Sequence, residues 1–126
     1  MDCRKYPNFT EAEFQCKHTG QCHMDPDFME RLQALREAYG KPMKVNSGYR
    51  HPTHPIEARK ANPGAHTYGR AVDIAVRGSD AYNLLALAMD FGFTGIGVHQ
   101  KGNTRFLHLD DISGVKGFPR PSIWSY

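Results

Sequence analysis

No stretch of this 126-residue chain approaches the roughly 18 to 20 consecutive apolar residues that a membrane-spanning helix needs. The opening MDCRKYPNF has no apolar h-region, so no secretory signal is read and synthesis in the cytoplasm is expected, with no membrane insertion. Charge of one sign is also scarce. Sixteen Lys+Arg against 13 Asp+Glu leave a net +3, and the basic residues are scattered. Nucleic-acid readers gather their charge into a stripe, so no nucleic-acid partner is expected, although a weakly basic surface favours an anionic polymer. Cysteine is sparse and odd in number: Cys3, Cys16 and Cys22 cannot make a closed disulfide framework. The spacing C-x5-C matches no zinc template well. Free thiols in a loop, a Cys16–Cys22 bridge and an additional metal site stay open as readings, in that order.

What the chain does have is seven histidines and 12 glycines. Its length fits one domain spanning 1–126, large enough to fold on its own core, and a monomer is the expectation. Thr10 with Glu13 reads as a capping box for a short first helix. Residues 15–24 read as a Cys/His/Gly loop. Asp25-Pro26 then caps and opens an amphipathic helix over Pro26–Tyr39, with Phe28, Leu32, Leu35 and Tyr39 at helical spacing and Gly40 as its stop. Met43–Ser47 reads as a strand, and 48–65 as a long loop, a length that usually signals function. Arg70–Val76 alternates as a strand. Ser79 reads as the cap of a second helix running to about Phe91, with Ala81, Leu84, Leu85 and Ala88 inward. Gly95–His99 and Arg105–Asp110 read as a hairpin about Lys101-Gly102-Asn103. The fold class is therefore α+β: a small, mostly antiparallel sheet with helices packed on one face.

The two alternating strands carry the chemistry. Val72, Ile74 and Val76 face the core, which turns Asp73 to the opposite face between two alanines that leave space beside it. Leu107 and Leu109 point one way, and Phe106, His108 and Asp110 the other. His66 lies seven residues before Asp73, and a turn at Tyr68-Gly69 can fold it back. Two histidines and one aspartate suit Zn²⁺, and three protein ligands leave a fourth position for water. Zinc lowers the pKa of such a water to about 7 and polarises a bound carbonyl.

With these pieces in hand, the segments Ser47-Gly48-Tyr49-Arg50, AHTYGRAVDI over 65–74, and Gly95-Ile96-Gly97 followed by Phe106-Leu107-His108-Leu109-Asp110 resemble the D-Ala-D-Ala carboxypeptidase family of zinc peptidases. That family includes phage endolysins with L-alanyl-D-glutamate peptidase activity, and its zinc fold is shared with the hedgehog signalling domain. FTEAEF, GKPMKVNSGYR and RPSIWSY are similar to small single-domain members, many of them phage-encoded. The resemblance covers about residues 8 to 112.

The resemblance implies a single zinc ion held by His66, Asp73 and His108, with Arg50 binding substrate or the developing oxyanion and Ser47 as a weaker hydrogen-bonding candidate. A guanidinium suits that task because its charge is permanent and its donors form a fork; the plainer reading of Arg50 is an ion pair that holds the long loop. It implies a peptidoglycan stem peptide as substrate and the bacterial cell wall as the place of action. Many members carry a Glu or Asp three residues before the last ligand, or a His two before it. Arg105 and Phe106 stand there and cannot take a proton. His99 and Asp110 are the titratable residues left as proton acceptors, and Asp110 could instead orient a ligand. His51 and His54 read as solvated loop residues, Tyr49 and Tyr68 as packing, and Trp124 and Tyr126 as cover for a sheet edge or the cleft. The alternative function is a non-catalytic zinc-stabilised module that binds the cell wall or another protein.

Overall fold

The computed structural model describes residues 6–60, 64–113 and 117–126; Cys3 and Pro63 lie outside them. Chain order gives α1 (Glu11–Phe14), α2 (Pro26–Tyr39), β1 (Lys44–Ser47), α3 (Pro55–Ala58), a 3₁₀ turn (Ala65–Tyr68), β2 (Ala71–Ala75), α4 (Gly78–Asp90), β3 (Gly95–His99), β4 (Phe106–Asp110) and β5 (Ser122–Ser125). The class is α+β, as the patterning predicts.

Local chemistry sets the boundaries. The Asp25 carboxylate accepts the N–H groups of Asp27 and Phe28, Pro26 opens α2, and Gly40 ends it in the left-handed region, so both ends of this helix are fixed by single residues. At α1 half of the capping box forms: the Glu13 carboxylate accepts both the N–H and the hydroxyl of Thr10. Ser79 does not cap α4. The helix is entered two residues earlier, with Arg77 in the cap position and no side-chain bond there.

Five strands form one sheet in the order β1-β2-β4-β3-β5. The first three pairings are antiparallel. β5 was not anticipated. It joins β3 in parallel, so the terminal segment extends the sheet instead of trailing from it. The long loop likewise contains α3. Val72, Ile74, Leu107, Leu109 and Ile96 meet Phe28, Leu32, Leu35, Ala81, Leu84 and Ala88 in one buried cluster, which puts α2 and α4 on the same face. By strand periodicity Asp73 and His108 then belong to the other face.

The cysteines split. Cys16 is a buried free thiol that accepts the His51 N–H, whereas Cys22 is disulfide-bonded. A Cys16–Cys22 bridge is therefore excluded, and so are free thiols at both positions. Among the described residues the Cys/His loop makes no metal-ligating group. It packs instead on the turn that carries His66: Gly69 has φ +67°, and its carbonyl accepts the Asp25 N–H. A Cβ at Gly69 would lie 2.0 Å from the His23 carbonyl oxygen. Gly69→Ala is therefore expected to cost at least about 2 kcal/mol, from the left-handed backbone and the clash together; urea unfolding measures it.

Candidate metal centre

β2 and β4 pair so that Asp73 and His108 are direct cross-strand partners, and the 3₁₀ turn lays His66 over them. One ligand atom from each of His66, Asp73 and His108 lies within 4.8 Å of the other two, and all three residues are buried. His66 Nε2 is 3.4 Å and His108 Nδ1 3.2 Å from Asp73 Oδ1.

The outward nitrogens test whether the group suits a metal. His66 Nδ1 donates to the Gly48 carbonyl at 2.7 Å, and His108 Nε2 donates to Asp110 Oδ2 at 2.7 Å. A carbonyl and a carboxylate can only accept, so each ring carries its proton on the outward nitrogen. The inward nitrogens, Nε2 of His66 and Nδ1 of His108, both face Asp73 Oδ1, where a bound cation would take their lone pairs in place of protons. This is the pairing of ligand and orienting acceptor that zinc histidines use. The donor set fits one zinc ion.

Burial and the mutual contacts of these groups set their charge. Burial pushes the Asp73 carboxyl up, but hydrogen bonds from His108 and His66 outweigh it and hold Asp73 far below the usual carboxylate range. Burial pulls His66 below the usual imidazole value, only partly offset by Asp73. Burial also pulls on His108, but Asp110 and Asp73 outweigh it and raise its pKa.

The cluster lies at the floor of a cleft of about 480 Å³, walled by the long loop on one side and by Phe106, Phe118, Trp124 and Tyr126 on the other. Arg50 lines it. Its guanidinium reaches Glu57 at 3.2 Å and Asp73 Oδ2 at 3.5 Å, so it both ties the loop and touches the metal group. Burial pushes the Glu57 carboxyl up, yet the Gly64 N–H, Lys60 and Arg50 together hold it below its ordinary value. Ser47 ends β1, half-buried, opposite Asp73 in register.

Neither sequence-read proton acceptor lines the cleft. Asp110 is fully buried beneath His108, where it also accepts from Arg120 and from the Ile112 N–H. His99 stacks on Phe106 with centroids 5.1 Å apart and rings 8° from parallel, and its Nδ1 is buried without a partner among the described residues. Beyond the three clustered residues, the titratable side chains lining the cleft are Arg50, Lys60, Arg120 and Tyr126.

The other residues sort cleanly. His54 caps α3 by accepting the Ile56 N–H, and His51 bonds Thr53. Tyr49 is core, and Tyr68 meets Phe118 edge-on. Trp124 does two things: its strand covers the edge of β3, and its ring packs 5.1 Å from His108. Sequence reasoning missed Glu57 and Arg120. Glu57 gave no signal in a Pro/Gly-rich loop. For Arg120 the signal was RPSIWSY, whose arginine received no role.

Comparison with known proteins gives the same direction. Residues 7–110 match the family model described as peptidase M15. The chain is 30% identical over 94 residues to the peptidoglycan L,D-endopeptidase MepK of Escherichia coli K12, covering 69% of this chain and 50% of that protein. It is 41% identical over 70 residues to the zinc D-Ala-D-Ala carboxypeptidase of Streptomyces albus G, covering 54% of this chain and 27% of that protein. The chain thus spans half the length, or less, of these curated relatives.

Proposed function

This chain belongs to the peptidase M15 family, and from that premise we infer that it is a zinc metallopeptidase that hydrolyses peptidoglycan stem peptides at the bacterial cell wall. The bond is that of a D-Ala-D-Ala carboxypeptidase or of an L-alanyl-D-glutamate-type endopeptidase, and the likeness of FTEAEF, GKPMKVNSGYR and RPSIWSY to small phage-encoded members supports an endolysin role. The observation that carries this reading is the cluster itself: three buried donors with both outward imidazole nitrogens already satisfied, at the floor of an open cleft.

His66, Asp73 and His108 hold the ion. Zinc supplies a Lewis acid that polarises a carbonyl and acidifies water. Arg50 meets the substrate carboxylate or the negative charge that develops on the carbonyl oxygen, a task suited to a fixed cation in a low-dielectric site. Ser47, opposite Asp73 in register but outside the cleft lining, gains no support as a substrate contact. Asp110 is spent on His108 and Arg120, so its part is to hold the His108 ring, and His99 is the proton acceptor. His99 is the cross-strand partner of Phe106, which lines the cleft, and that neighbourhood supports the part.

A second reading, a zinc-stabilised module that binds without cleaving, draws on one observation: apart from the three ligands, no carboxylate or imidazole lines the cleft among the described residues. Incubation of the zinc-loaded protein with purified peptidoglycan, followed by mass spectrometry, separates the two. Hydrolysis is expected to release free D-alanine or shortened stem peptides and to stop on chelation, and the fragment masses name the bond. Pull-down of the wall material without any new fragment would instead favour the binding module.

A further inference from the structure

We propose that Arg120 is a positioning residue for the metal centre, acting on the ligand His108 through Asp110. This rests on zinc occupying the His66–Asp73–His108 cluster, and not on what the protein does to a peptide.

The geometry forms an unbroken chain from the terminal segment to the ligand atom. Arg120 grips Asp110 with two parallel bonds, Nε to Oδ1 at 3.0 Å and a terminal nitrogen to Oδ2 at 2.8 Å. The same Oδ2 accepts from His108 Nε2 at 2.7 Å. Without Arg120 the carboxylate would be held by His108 on Oδ2 and by the longer Ile112 N–H bond, 3.3 Å, on Oδ1. The charged two-point grip adds one bond to each oxygen, both shorter than that from Ile112, so the acceptor that fixes the His108 ring is itself held firmly. The pair is almost wholly withdrawn from water, with side-chain exposures of 8% and 0%.

Two further features point to the arginine itself. Its guanidinium lies between the rings of Phe118, 5.4 Å away, and Trp124, 5.0 Å away, and Trp124 also packs on His108. Phe118, Arg120 and Trp124 thus bring the terminal segment against the ligand from two directions, through hydrogen bonds and through ring contact. The neighbouring strand makes room for this. Gly95 is the cross-strand partner of Asp110, and a Cβ there would lie 2.2 Å from Asp110 Oδ1 and 2.5 Å from Arg120 Nε. Any other residue at 95 would occupy the space in which carboxylate and guanidinium meet.

The test measures metal affinity by competition with a chromogenic chelator, using Co²⁺ as probe because its visible absorption reports ligand geometry. Arg120→Met is expected to bind Co²⁺ about 10- to 100-fold more weakly than wild type, with an altered absorption band. Arg120→Lys keeps the charge but cannot bridge both oxygens, so an intermediate loss is expected. A merely structural arginine would lower the melting temperature and leave the affinity and the band of the folded fraction unchanged; that result would overturn the proposal. If Arg120→Met does not fold, Arg120→Lys decides: wild-type affinity and spectrum overturn the proposal, weakened binding supports it. Failure of the wild-type chain to take up Co²⁺ would overturn this proposal together with the metal centre on which it rests, whereas wild-type uptake with no hydrolysis would leave it standing and sink only the peptidase reading.

Discussion

His108→Ala is expected to release zinc and to lower stem-peptide cleavage by at least about 10³-fold, because Lewis-acid activation contributes several kcal/mol to the barrier. The substitution removes one of three donors and leaves Asp110, which is fully buried, with Arg120 and a backbone N–H as its remaining partners. His99→Ala is the informative contrast. It keeps every ligand, so zinc is expected to stay stoichiometric by elemental analysis while turnover falls by about 10²- to 10⁴-fold, the range for loss of an acid–base group. Unchanged turnover in His99→Ala would remove the proton-accepting role from that residue. Zinc retained by a wild-type chain that cleaves nothing would favour the binding module.

Arg50→Met gives the second large effect. The guanidinium contacts both the metal group and Glu57. Its loss is expected to reduce kcat/KM by about 10²- to 10³-fold, the size typical of one group that stabilises developing charge, while zinc stays bound. Arg50→Lys retains charge without the fork and is expected to fall between. A purely loop-holding arginine gives another pattern: a lower melting temperature and little change in kcat/KM for the folded fraction. Steady-state kinetics beside thermal melts, both on zinc-loaded protein, separate the two.

Much of the scaffold was legible because single residues dictate it. Asp25-Pro26 and Gly40 mark α2 to the residue. Alternation alone put Val72 and Ile74 in the core and Asp73 on the reverse face, and did the same for Leu107, Leu109 and His108. The cross-strand pairing of Asp73 with His108 was beyond sequence reading, since register depends on which strands meet. β5 was hidden for a related reason. Ser122–Ser125 is short, follows two prolines, and gains its partner only from β3 across the sheet. Glu57 and Arg120 were invisible because each matters through partners that no helical or strand period links to it: Glu57 through Arg50 and the Gly64 N–H, Arg120 through Asp110 and the room left at Gly95. The first turn of α4 misled because Ser79 is a good cap by type, while the backbone enters the helix before reaching it.

The strand order carries a last consequence. β2 and β4 lie inside the sheet, each hydrogen-bonded on both sides, so Asp73 and His108 ride on interior strands whose amide protons should exchange with solvent only when the whole sheet opens. Separating Asp73 from His108 and unfolding the protein are then one event, while His66 joins them from the 3₁₀ turn outside the sheet. An ion that binds only the assembled site stabilises the native chain by mass action, about 2.7 kcal/mol at a hundred times its dissociation constant.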